Sequence, residues 1–283
     1  MSNPEFLREG SAVEDCLHPD RIVIGADSED IAIRVAGLCT PLAVPTILTD
    51  APSAELIKYV ANAFLATKII FVNAVAAVSE AVGADMHDVV LAVGHDKRIG
   101  HGFLSPGPGW GGSCFPKDTK ALIRIVANAG YDFRMLEAVV EVNQQQFARV
   151  VRKVEELLDG SLDAANIAVW GLTFEARTDD RPDSPAIEVI RQLVAGGAKV
   201  RAFDPAVPAG PALMDGVEVV STASEACDGG GVLVVLTAWD EFKWVDLDGV
   251  VSRLRTANVV DASNVLDRPA LLSRGFRHRG IGR

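Results

Sequence analysis

Cysteine is scarce in this 283-residue chain, and its four cysteines (Cys16, Cys39, Cys114 and Cys227) form no CxxC spacing. That pattern excludes a disulfide framework and a cysteine-based zinc site, so no metal is expected. Basic residues are also few: 27 Lys and Arg stand against 38 Asp and Glu, for a formal charge of −11. Such acidity argues against nucleic acid or an anionic membrane surface as the main partner. The most apolar stretch, residues 54–83, is interrupted by Glu55, Lys58, Lys68 and Glu80. It falls short of the ~18 uninterrupted apolar residues of a membrane span. Residues 1–7 hold neither a basic nor an apolar leader segment, and a reduced, cytoplasmic setting is the expectation. No heptads, low-complexity tracts or repeats of 20–50 residues occur, and no complete GxGxxG fingerprint appears anywhere. What is present is 49% apolar residues, enough to exclude disorder. At roughly 100–200 residues per domain, the length suggests two domains.

The hydrophobic period changes twice along the chain. Residues 1–50 alternate between short apolar runs (21–25 and 46–49) and a helical pattern at 27–39, an α/β segment too small to close a sheet. From residue 53, Leu56, Val60, Phe64, Thr67, Phe71, Ala74 and Val78 follow helical spacing until Gly83. A helix of ~30 residues is ~45 Å long. A short helix at 86–93, a glycine-rich loop at 100–113, a helix opened by Cys114, and a long amphipathic helix at 134–158 follow. Beyond residue 166, β-rich runs at 167–170, 199–203, 217–220, 232–236 and 258–260 alternate with helical patterns such as 184–195. This spacing predicts a doubly wound parallel sheet. The expected organisation is therefore 1–50, a central helical region 51–160, and a C-terminal α/β domain 161–283.

The sharpest chemical signal is GGSCFPKD at residues 111–118. A cysteine at the first turn of a helix meets free amide N–H groups and the positive end of the dipole, which favour its thiolate. Asp118, four residues on, faces the same side, and a nucleophile with a neighbouring carboxylate suits covalent catalysis. A buried cysteine that only packs is the plain alternative. Lys58 and Asn62 are likewise four apart and could both donate toward developing negative charge, or Lys58 could simply be solvated. Glu5, Glu9 and Arg98 fit surface charges as well as ligand contacts. The glycine loop could hold a diphosphate through backbone amides, although it follows a helix rather than a strand.

Together, NPEFLREG at 3–10, HPDRIVIG at 18–25, ELIKYVANAF at 55–64, KRIG at 97–100, GGSCFPKD at 111–118 and DDRPDSP at 179–185 resemble the nucleotide-sugar 6-dehydrogenases, the UDP-glucose/GDP-mannose dehydrogenase family. The NPEFLREG form favours the branch acting on UDP-glucose. The resemblance implies a cytoplasmic homodimer and an α/β fold. Residues 1–50 would be the remnant of a Rossmann-like NAD-binding domain, 51–160 the helical dimerisation and catalytic region, and 161–283 a Rossmann-like domain for the UDP-sugar. It implies a four-electron, NAD-dependent oxidation of UDP-glucose at C6. Cys114 would form a thiohemiacetal and then a thioester, and Lys58 and Asn62 would stabilise the oxyanion. Asp118 would help activate water, with Glu5 as acid/base. Phe6, Leu7, Phe103, Leu104, Ser105, Pro106, Gly107, Gly111 and Phe174 would contact the nucleotide sugar, and Arg98 would reach a neighbouring subunit's site. Glu9 and Lys117 would lie toward NAD.

Three positions depart from the family's pattern: Glu175 stands for a lysine, Pro182 for a cofactor-contacting arginine, and Ser263 for an arginine near substrate. A charge-assisted hydrogen bond to phosphate is worth on the order of 1.5–3 kcal/mol, so each replacement weakens the expected affinity. The family also begins with a longer GxGxxG domain than residues 1–50 supply. The chain is therefore expected to reduce no NAD by itself. It would be either part of an active dehydrogenase or an inactive paralogue that binds a sugar nucleotide or partners a full-length homologue.

Overall fold

The computed structural model describes residues 1–210 and 213–283, which divide into two units: Met1–Leu65 with Lys117–Phe133, and Ala66–Pro116 with Arg134–Arg283. In chain order the helices and strands are α1 (Ala12–Leu17), β1 (Ile22–Gly25), α2 (Glu29–Cys39), β2 (Thr46–Thr49), α3 (Ala51–Val82), α4 (Met86–Gly94), α5 (Phe115–Asn128) and α6 (Arg134–Leu157). They continue as β3 (Asn166–Trp170), α7 (Pro185–Ala195), β4 (Lys199–Phe203), β5 (Val217–Val219), α8 (Ala223–Ala226), β6 (Val232–Val235), α9 (Leu247–Arg253), β7 (Asn258–Asp261), α10 (Arg268–Ser273) and β8 (Arg277–Gly280). The α/β class with parallel sheets holds, as the alternation of patterns predicts.

In the first unit, β1 and β2 pair in parallel from Ile22↔Thr46 to Gly25↔Thr49, joined through α2. Ile22, Ile24 and Ala32 form a small core with Val35, Leu42 and Val44 against it. Gly25 is required by space: a Cβ there would lie 2.5 Å from the Asp50 carbonyl and 2.6 Å from the Ala54 side chain. Along the other edge of β1, Ser2 exchanges two backbone hydrogen bonds with Gly25, and the Asn3 amide donates to the Val23 carbonyl.

In the second unit, six parallel strands run in the order β5-β4-β3-β6-β7-β8. The order reverses between β3 and β6, the topological switch point where such sheets bind ligands beyond the strands' carboxyl ends. β6 and β7 are buried throughout, as strands covered on both faces must be. One face packs Val150, Val154 and Leu157 of α6 and Val189, Ile190 and Leu193 of α7 against Ile167 and Val234. The other packs Trp170, Leu233, Phe242, Val250 and Leu271. Ser184 caps α7 by accepting from the Ala186 amide, and Pro185 opens the helix.

The sequence reading of residues 54–83 needs correction. Between Lys58 and Glu80 only Lys68 is charged, so α3 is long and apolar enough to cross a membrane by those two criteria. It also buries Asn62, Asn73 and Ser79, and its Lys68 ammonium donates to the carbonyls of Ile99 and Gly100. Leu56, Val60, Phe64, Phe71, Val78 and Val82 form an exposed apolar stripe along it.

Candidate active site

Each unit carries its own cluster of the residues singled out by sequence. In the first, the NPEFLREG segment makes a tight turn in which Glu5 Oε2 accepts the Leu7 amide at 2.7 Å. The Lys58 ammonium, projecting from α3, donates to Glu5 Oε1 at 2.8 Å and to the Glu5 carbonyl at 2.7 Å. Part-burial pushes the Glu5 carboxyl upward. The Lys58 hydrogen bond, the Leu7 amide and the charges of Lys58 and Lys117 outweigh that, and hold it below the ordinary carboxylate range. Phe6 lies between two cations: the Arg21 guanidinium is 4.0 Å and the Lys58 ammonium 5.9 Å from its ring centroid. Leu7 is exposed, and Glu9 is partly buried in the turn before α1.

One turn along α3 from Lys58, the buried Asn62 amide donates to Asp118 Oδ2 at 2.5 Å. Asp118 is itself buried in the first turn of α5. Lys117 is exposed, with its ammonium 3.8 Å from Asp118 Oδ1. Lys58 and Asn62, expected to act together from one face, are thus tied to different carboxylates. A buried carboxylate bonded by a buried amide is a well-fixed acceptor.

In the second unit the glycine loop runs from Gly100 into Cys114, the residue immediately before α5. The Cys114 Sγ lies 3.7 Å from the Ser113 hydroxyl and is partly buried. Leu104 is buried, and Phe103 adopts a positive φ of 59°. Ser105 is exposed and Pro106 is partly buried. Side chains that sequence reasoning missed hold this loop. Asn73 Oδ1 accepts the Gly107 amide at 2.9 Å, and the Gln146 amide donates to the Gly107 carbonyl at 2.7 Å. Asn143 bonds both the N–H and the carbonyl of Trp110 at 2.9 Å. These are polar residues on apolar helix faces of α3 and α6, and their burial in such a pattern is the signal that could have found them.

Gly111 and Gly112 are docked on the loop after β3. The Gly112 amide donates to the Asp183 carbonyl at 3.2 Å, and Gly111 packs so closely on that carbonyl that a Cβ would clash. A Cβ on Gly112 would lie 2.7 Å from the Phe174 ring. Gly107 faces the Ala262 carbonyl of the 261–264 loop. Phe174 and the loop residues 107–112 therefore meet at the carboxyl ends of β3 and β7. Arg98 is exposed and folds back on Asp96 in its own chain, 2.6 Å between Nη2 and Oδ2.

The fit of NAD can be tested on residues 1–65. Of the two strand–helix turns, 25–28 leads from Gly25 into Glu29 and Asp30 in the first turn of α2, and the other passes through Asp50 into α3. Those carboxylates oppose a diphosphate at the helix N-terminus, and no glycine-rich cradle is present among these residues. The residues of this unit do not by themselves fit the cofactor's diphosphate. Among the described residues no cluster could hold a metal ion.

Comparison with known proteins matches three models: the UDP-glucose/GDP-mannose dehydrogenase family's NAD binding domain at residues 1–42, its central domain at 52–145 and its UDP binding domain at 168–268. A UDP-glucose 6-dehydrogenase of Rickettsia bellii is 44% identical, covering 99% of this chain and 66% of its own length. One from Rhizobium meliloti is 42% identical, covering 100% and 66%. The chain thus spans just under two thirds of the length of these curated relatives. Among solved structures, a UDP-glucose dehydrogenase from the hyperthermophilic archaeon Pyrobaculum islandicum superposes with a TM-score of 0.88 at 38% identity, covering 99% of this chain and 63% of that one.

Proposed function

The chain belongs to the UDP-glucose/GDP-mannose dehydrogenase family, and we propose from that premise that it contributes the nucleotide-sugar cradle and the reacting thiol of an NAD-dependent, four-electron oxidation of UDP-glucose to UDP-glucuronate. The observation that carries this reading is the docking of the Gly111–Gly112 step on Asp183 and Phe174, which joins the Cys114 loop to the UDP binding domain within one unit. The Cys114 thiolate adds to the C6 aldehyde, forming a C–S bond while the carbonyl pair moves to oxygen. The Lys58 ammonium and the Asn62 amide stabilise that oxyanion. After oxidation to the thioester, water polarised by Asp118 attacks the carbonyl, and the C–S bond breaks to return the thiolate and release the carboxylate. Glu5, held ionised by Lys58, acts as base in this step. NAD is the hydride acceptor that the family's NAD-binding domain implies, and Glu9 and Lys117 are read as lying toward it.

We read the regions as 1–50, 51–160 and 161–283. The apolar stripe of α3 is read as the surface that meets a second copy, with Arg98 presented to the partner's site. The buried Asn62, Asn73 and Ser79 support this over a membrane span, where such groups are costly.

A second reading is favoured by the acidic first turn of α2: a sugar-nucleotide-binding or dimer-partner protein without turnover of its own. Calorimetric titration and absorbance at 340 nm separate the two. UDP-glucose binding is required by the first reading, and the chain alone is expected to form no NADH. Steady NADH formation abolished by Cys114→Ala would overturn the second reading; no heat at millimolar UDP-glucose would overturn the first and favour the partner protein without turnover.

A further inference from the structure

The carboxylate of Asp204, at the carboxyl end of β4, is fully buried and engages five donors. Its Oδ2 accepts the amides of Leu172 at 2.7 Å and Thr173 at 3.0 Å, the Thr173 hydroxyl at 3.0 Å and the Trp239 indole N–H at 3.2 Å. Its Oδ1 accepts the Ala206 amide at 2.9 Å. Leu172 and Thr173 follow β3, and Trp239 follows β6, so one carboxylate ties the loops on both sides of the switch point. The Thr237 hydroxyl closes the same seam by donating to the Thr173 carbonyl at 2.7 Å. Gly171, at φ 93°, is packed so closely on Thr237 that a Cβ has no room.

The residue after Thr173 is Phe174, whose ring supports Gly112, two residues before Cys114. We propose that Asp204 is the positioning residue that seats Phe174 beneath the cysteine loop, so that the order of the nucleotide-binding crevice sets the exposure of the Cys114 thiol. The chain of interactions is short: Asp204 fixes Leu172 and Thr173, Thr173 fixes the direction of Phe174, and Phe174 fixes Gly112. None of these steps requires bound ligand. The inference rests on the proposed function only in treating Cys114 as the reacting thiol.

The test is the alkylation rate of each cysteine by iodoacetamide, read by peptide mass spectrometry on the full ligand-free chain. Cys227 reports whether the unit is folded: it is buried under β3, and burial pushes its thiol up to about 12. Asp204→Ala is expected to speed Cys114 alkylation by about five-fold while Cys227 stays protected, because support for the loop is removed and the thiol is uncovered. Phe174→Ala should do the same, and the double substitution should add nothing further, since both break one chain of interactions. A general loosening of the packing would move Cys227 together with Cys114 and leave the two substitutions independent.

A Cys114 rate within about two-fold of the parent with Cys227 protected, or two effects that multiply, overturns the proposal. If Asp204→Ala exposes Cys227, then Asp204→Asn and Trp239→Phe decide: each weakens part of the hydrogen-bond network, and a faster Cys114 with protected Cys227 is expected. An unchanged Cys114 rate in both rejects the proposal. UDP-glucose binding is measured separately, so failure of the functional reading leaves this result standing.

Discussion

The two parallel sheets obey the same βαβ geometry and differ in what covers them. In the C-terminal sheet, β6 and β7 are buried along their whole length between a layer containing α6 and α7 and a layer containing α8, α9 and α10. In the N-terminal sheet β1 is buried, but β2 is exposed at Thr46, Ile47 and Leu48. A strand covered on one face contributes little beyond its hydrogen bonds, because sheet stabilisation comes mostly from side-chain burial. The more completely covered sheet is the one that carries the crevice, the Phe174 seat and the cysteine loop.

The contrast makes graded predictions. Leu233→Ala, in a strand with no exposure, is expected to cost about 2–5 kcal/mol by chemical denaturation, because the cavity cannot collapse. Equal cost for Leu233→Ala and the same truncation at Leu48 would break the comparison.

Next in size are two opposing pH effects in the C-terminal sheet. Burial raises Asp261 to about 6 from an ordinary 3.8, against the lowering action of the Leu266, Val265 and Ser263 amides and of Arg283. The protonated acid therefore favours the folded state: its contribution is whole below pH 3.8 and is lost as pH rises through 6. Asp261→Asn, neutral throughout, should unfold later than the parent at pH 7.5 by up to ~3 kcal/mol, with the advantage gone at pH 3.5. His278 runs the other way. Burial first, and then Arg283, Arg268, Arg279 and Lys153, lower it to about 4 from 6.5. The neutral imidazole favours the fold, so stability is whole above pH 6.5 and is lost as pH falls through 4. His278→Leu should flatten the parent's loss of melting temperature between pH 6.5 and 4, and an unchanged slope would refute this origin. The smallest effect is expected at Leu48, 43% exposed, where truncation to Ala should cost under about 1 kcal/mol.

How legible these features are in the sequence follows from the same contrast. The apolar runs IAVW and VLVV announce buried parallel strands, because burial leaves a pattern, and the helical spacing from Leu56 to Val78 announces α3 although that apolar stripe is exposed in the single chain. β8 is not legible: RHRG is three-quarters basic or imidazole side chains, and only the alternation of buried His278 and Gly280 with exposed Arg277 and Arg279 marks it as an edge strand. Short α8, α9 and α10 leave too few turns for a period. Cys114, Lys58, Asn62, Asp118 and Glu5 are legible as motif residues, but their partners are not. The Lys58–Glu5 and Asn62–Asp118 bonds join residues 53 and 56 positions apart. Asp204 is invisible for the same reason, and Asn73, Asn143 and Gln146 show only as polar residues on apolar helix faces, with the distant loop each one holds left unmarked.

The central claim is that the covered C-terminal sheet and its docked cysteine loop form a nucleotide-sugar site in this chain. Isothermal titration with UDP-glucose, with NAD run beside it, tests that most directly. The account predicts heat of binding for UDP-glucose and none for NAD alone, and the absence of UDP-glucose binding at millimolar concentration in the folded protein would contradict it.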